Sequence, residues 1–168
     1  MTWIIIIAVL AVLFFALNSE SNTAKKTFKD EYQMNLSQLK SSGTYVSGHP
    51  SMDKSIKKTY LLLDNEDVKI FTFELGVYKL LSQITKSEIT NVSMEDSSTI
   101  QNRVTVGRLL LTGVFAFAWK KKTKQECAYF IIEWNKGQFK NETIFEFEGQ
   151  GSIQKANTLR NSFIHYLS

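Results

Sequence analysis

Hydrophobic and polar positions alternate along this chain in three successive regimes. From Trp3 to Leu17 the apolar residues are continuous, WIIIIAVLAVLFFAL. With Met1 and Thr2 the run reaches the lower limit for crossing a hydrocarbon core of roughly 30 Å. From Ala24 the spacing becomes helical, with Phe28, Tyr32, Leu36 and Leu39 on one face and charged residues on the other. That pattern predicts a short amphipathic helix, docked on the domain or lying against a membrane, which Gly43 would end. From Thr44 onward the period shortens to two and strands are expected.

The predicted strands are Tyr45 to His49, Thr59 to Leu63, Val68 to Leu75, Val77 to Leu81, a bulged strand through Ile89, Val92 and Met94, and one through Ile100, Val104 and Val106. Asp64 to Asp67 supplies a hairpin turn between the second and third. Val114 to Trp119 then alternates small and bulky side chains, Ala128 to Trp134 returns, and Thr143, Phe145 and Phe147 alternate with Glu142, Glu146 and Glu148. The three glutamates are expected on a solvated outer face. Ser152 is positioned to cap a final helix with the stripe Ile153, Ala156, Leu159, Phe163, Ile164 and Leu167. Leu109 to Trp119 is not a second span, because the uncharged stretch between Arg108 and Lys120 is too short.

The expectation is therefore a mainly β, α+β chain: a bent antiparallel barrel or sandwich of about seven to nine strands, capped by a C-terminal helix and preceded by a transmembrane helix. Residues 1–18 form the anchor, 19–43 the juxtamembrane linker and amphipathic helix, and 44–168 the domain.

Charge refines the picture. The net charge is +4 and its lysines cluster (Lys25, Lys26, Lys29; Lys54, Lys57, Lys58; Lys120 to Lys124), but Arg103, Arg108 and Arg160 are the only arginines. Nucleic acid is excluded as a partner on that balance. The lysines after the apolar run place the domain in the cytoplasm as a single-pass protein of the cell membrane. The rival reading is export behind a cleaved signal. Lys120, Lys121, Lys122 and Lys124 sit on an expected hairpin tip, where they are candidate contacts for anionic lipid or a partner.

Chemistry narrows the function by elimination. His49 and His165 lie far apart in sequence and no cysteine pairs with them, so no metal site is expected. Cys127 is the single cysteine, which excludes an intrachain disulfide and reads as an inert buried thiol. There is no phosphate-binding glycine loop, nucleophile elbow or dinucleotide fingerprint. No catalytic residue and no cofactor is assigned.

Several stretches resemble a loosely defined group of bacterial pleckstrin-homology-like proteins: Gly48-His49-Pro50, Ser87-Glu88-Ile89, and Arg108-Leu109-Leu110-Leu111-Thr112-Gly113 leading into Phe117-Ala118-Trp119-Lys120-Lys121-Lys122. The resemblance covers roughly Tyr45 to Leu167. It implies a bent antiparallel barrel with one open end plugged by the C-terminal helix, and no activity. The expected function is non-enzymatic: a membrane-tethered binding or scaffolding module with a protein partner, or else an accessory subunit of a membrane complex.

Overall fold

The computed structural model describes residues 6–7, 25–32, 34–53, 58–96, 99 and 126–168. Within them lie seven strands: β1 (Lys40–Ser47), β2 (Thr59–Leu63), β3 (Asp67–Glu74), β4 (Val77–Thr85), β5 (Ile89–Asp96), β6 (Cys127–Lys136) and β7 (Phe139–Glu148). All pairings are antiparallel, in the order β4-β3-β2-β1-β7-β6-β5. Among the described residues β4 and β5 are the two edges, so the sheet is open and does not close into the barrel expected from the sequence. A helix, Ser152–Leu167, ends the chain.

β1 belongs to both halves of the sheet. Lys40 to Gly43 pair with β2, and Thr44 to Ser47 pair with β7. The hand-over falls at Gly43, whose φ of +75° lies in the left-handed region open mainly to glycine. The Glu146 carbonyl also packs so closely there that no Cβ fits. Gly43 therefore turns a strand rather than ending a helix, and β1 starts four residues before the boundary expected from the sequence. An irregular register on each side of the hand-over bends the strand further.

That bend lets one face of every strand reach a single core. Tyr45, Leu61, Val68, Ile70, Ile84, Val92, Phe130, Ile132, Trp134 and Phe145 meet Ala156, Leu159 and Phe163 of the C-terminal helix there. The helix buries a narrower stripe than expected, since Ile153 and Ile164 stay exposed. Its N-cap is Gly151 in left-handed conformation, and Ser152 is instead a buried first-turn residue. The bulge expected near Ile89 is present, as a register shift between Ile89 and Asn91 against β6.

A second apolar layer covers the outer side of β2 and β3. Residues 25–32 are helical, and Phe28 is 1% exposed against Leu62 and Phe71, with Tyr32, Leu36 and Leu39 beside it. Phe28 meets Phe71 at 5.3 Å and Tyr78 at 5.6 Å between ring centroids. The amphipathic segment thus docks on the domain. Leu36 lies in a separate 3-10 turn, Leu36–Gln38, with Leu39 as its cap, so the apolar stripe spans two short elements.

Of the Trp3–Leu17 run, only Ile6 and Ile7 are described; they are helical and exposed. No helix among the described residues is long and apolar enough to cross a membrane. The strands expected at Ile100 to Val106 and Val114 to Trp119 fall outside the described residues, as do Lys120, Lys121, Lys122 and Lys124.

Candidate functional site

Among the described residues, three places concentrate polar or reactive groups, and the fold determines what each can do. The first lies on the seam between the sheet edges. The segment after β1 buries Met52 in the core and His49 between β4 and β6. The imidazole stacks on Trp134 of β6, with ring centroids 5.1 Å apart and 28° between planes. Its Nε2 lies 3.1 Å from Ser82 Oγ of β4. The loop itself is pinned by Tyr45, whose hydroxyl accepts the His49 N–H at 2.9 Å and donates to the His49 carbonyl at 3.3 Å.

A histidine and a serine at hydrogen-bond distance raise the question of a nucleophile and its base. The tautomer argues against it. The Ser51 backbone N–H donates to Nδ1 at 3.3 Å, which makes Nδ1 the acceptor and leaves the proton on Nε2. Nε2 then donates to Ser82 Oγ and cannot remove its proton. Burial, with Lys136 adding a smaller repulsion, lowers the His49 pKa to about 4, so the ring is neutral at pH 7. His49 is a fastener joining β4 to β6 across the seam. The cleft outside it, about 340 Å³ and bordered by Gln83, Glu88 and Lys136, is small and polar.

The second place corrects an expectation. Glu146 was expected on a solvated face with Glu142 and Glu148; in the structure it is 9% exposed. Tyr129 Oη donates to Glu146 Oε1 at 2.6 Å, and Cys127 Sγ lies 3.3 Å from the same oxygen. Strict alternation fails because β6 is buried on both faces from Cys127 to Ile132, so the outward side of β6 and β7 forms its own apolar layer of Cys127, Tyr129, Ile131 and Ile144. Of the three carboxylates Glu148 is exposed and Glu142 half-buried.

Burial, and then the neighbouring Glu146 charge, push the Cys127 thiol up to about 11 despite the opposing Tyr129 hydrogen bond. Burial and the Glu146 hydrogen bond push Tyr129 upward as well. Both groups are held protonated, which is the reverse of what a nucleophilic thiolate needs. Ligand atoms of Cys127, Glu146 and Glu148 lie within 4.8 Å of one another. A cation there would need Cys127 as thiolate, the form this surrounding disfavours.

The third place is a groove of about 1060 Å³ between β1 and the start of the C-terminal helix. Lys40, Lys58 and Lys155 line it together with Glu146 and Glu148, and Phe147 and Leu159 add apolar surface. It exists because β1 leaves β2 for β7 at Gly43, opening a gap beside the helix N-terminus. Sequence reading missed it: its lysines are spread from 40 to 155 and no local cluster marks them.

No protein-family model matches this chain, and no curated protein or solved structure shows significant similarity to it.

Proposed function

We propose that the chain is a non-enzymatic binding module, tethered by Trp3–Leu17 and presenting a pleckstrin-homology-like domain at the cytoplasmic face of the membrane. The groove beside β1 is the observation that carries this reading. Among the described residues it is a large concavity, about 1060 Å³, in which Lys40, Lys58 and Lys155 outnumber the carboxylates Glu146 and Glu148 and Phe147 and Leu159 add apolar surface. What supports the domain type is coarser: a mainly antiparallel β sheet followed by a C-terminal helix. The partner this lining fits is a protein segment carrying carboxylates or phosphates that meet Lys40, Lys58 and Lys155, with an apolar side chain reaching Phe147.

Photo-crosslinking tests the reading. A photoreactive residue at Thr158, in the full-length protein in its native membrane, should give a discrete adduct. Reversing Lys40 and Lys155 to Glu should abolish that adduct while the protein stays folded. Adducts that form equally from Asn65, on the turn between β2 and β3 and away from the groove, would contradict it.

A further inference from the structure

The turn between β3 and β4 has a composition at odds with its place. It is formed by Leu75 and Gly76, both with positive φ, +51° and +80°. Asn, Asp and Gly are the residues that accept such a two-residue turn at low cost. Leucine is there instead, in a conformation it disfavours, and it is 102% exposed. The flanking strands continue the pattern, for Phe73, Val77 and Leu80 are all exposed. Neither folding nor turn chemistry requires an apolar tip here, and a cluster of this kind marks a surface that meets something apolar.

The chain's own route indicates what it meets. The helical segment 25–32 lies across the outer side of β2 and β3, and its Phe28 touches Tyr78, two residues from Gly76. Lys25 precedes Phe28 by less than one helical turn, roughly 5 Å of rise. The chain therefore enters the domain beside this tip, and the apolar run Trp3–Leu17 ends eight residues before Lys25. Lys25, Lys26 and Lys29 on the helix are exposed, as are Lys79 on β4 and Lys58, which both neighbour Thr72 near this end of β3. Glu74, the carboxylate nearest the tip in sequence, faces Lys79 at 3.9 Å. Tyr78 meets Phe73 in a tilted contact, 4.8 Å between ring centroids, and Lys58 lies 5.8 Å from the Tyr60 ring. An apolar point ringed by tyrosines and lysines matches the profile of a bilayer interface, apolar inside and polar then anionic outside.

We infer that the β3–β4 tip, with Leu75 at its apex and Phe73 and Val77 behind it, inserts into the membrane that holds the N-terminal run. The insertion is a second attachment that fixes the domain's orientation. It rests on the tethered reading above. β3 then stands with Leu75 in lipid and Asn65, beyond its other end, in water; eight residues of strand separate those ends by roughly 26 Å.

The test is lipid-quenching fluorimetry on the full-length protein in phosphatidylcholine–phosphatidylglycerol vesicles. A thiol-reactive fluorophore is placed at Leu75→Cys or, as the reference, at Asn65→Cys. Cys127 stays in place because it is buried, and the unsubstituted protein serves as the labelling blank. Alkaline extraction is run on the same vesicles. The expected result is retention in the vesicles, a blue-shifted label at 75, and quenching by nitroxide-bearing phospholipid several-fold stronger at 75 than at 65. Retention with equal, weak quenching at both positions overturns the inference and leaves the tether standing. A blue-shifted but unquenched label at 75 also overturns it, because protein rather than lipid then covers the tip. Release on alkaline extraction overturns the tethered reading itself and the inference with it.

Discussion

His49 and Trp134 lie face to face, 5.1 Å between ring centroids, although the first belongs to the segment after β1 and the second to β6. Among the described residues β4 and β5 are not paired, and this stack, the His49–Ser82 hydrogen bond and the Ser51–Ser82 contact tie β4 to β6 through the segment after β1. The arrangement works only with a neutral imidazole, since both ring nitrogens are already committed, one as acceptor and one as donor.

A pH dependence follows from that requirement. The His49 pKa is lowered from 6.5 to about 4 by burial and by Lys136. Above pH 6.5 both folded and unfolded forms are neutral at this site and its contribution is intact. As pH falls through the interval from 6.5 towards 4 the unfolded chain takes up a proton that the folded form refuses, and stability declines. The loss is on the order of 3 kcal/mol at most, from 1.36 kcal/mol per unit. Glu88 and Asp53, the nearby carboxylates, and Lys136 remain unchanged in a His49→Gln variant. Urea unfolding at several pH values should therefore show a shallower decline between pH 6.5 and 4 for the variant than for the native protein. Equal slopes would remove His49 from the account.

The bend in β1 makes a second prediction. Gly43→Ala places a Cβ against the Glu146 carbonyl and holds alanine at a φ of +75°. Gly137→Ala, at φ +59° with open space around it, carries the conformational cost alone. The Gly137 change should cost about 1 kcal/mol and the Gly43 change about 3 kcal/mol or more. Chemical denaturation of both variants decides it, and similar values would mean that β1 bends elsewhere.

The docked helix gives a third. Phe28, 1% exposed, is buried to the degree of the main core, although it arrives from outside the strand region. Phe28→Ala should destabilise the domain by about 3–5 kcal/mol, as measured by urea denaturation, as a core phenylalanine does. A loss below about 1 kcal/mol would show that this layer is peripheral.

Much of this architecture is visible in the pattern of residues. Thr59–Leu63 forms the strand that alternation predicts, the bulge near Ile89 is where broken alternation puts it, and Phe28, Tyr32, Leu36 and Leu39 share the apolar layer their spacing implies. The failures have a common cause. Period-two reading assumes one wet and one dry face, so it misassigns Glu146, which lies on a strand buried on both sides and is satisfied by Tyr129. Gly43 resembles a helix end because helix termini and strand corners both use left-handed glycine. The groove lysines and the His49–Ser82 contact are separated in sequence by distances no local signal spans.

The central claim is that this domain is carried on the cytoplasmic side of a membrane by the Trp3–Leu17 run. The most direct measurement fuses compartment-specific reporters after Ser168 in the full-length protein, one active only in the cytoplasm and one active only beyond the membrane. The account predicts that the cytoplasmic reporter alone is active, in the membrane fraction. Activity of the external reporter alone would contradict it and make the chain an exported domain.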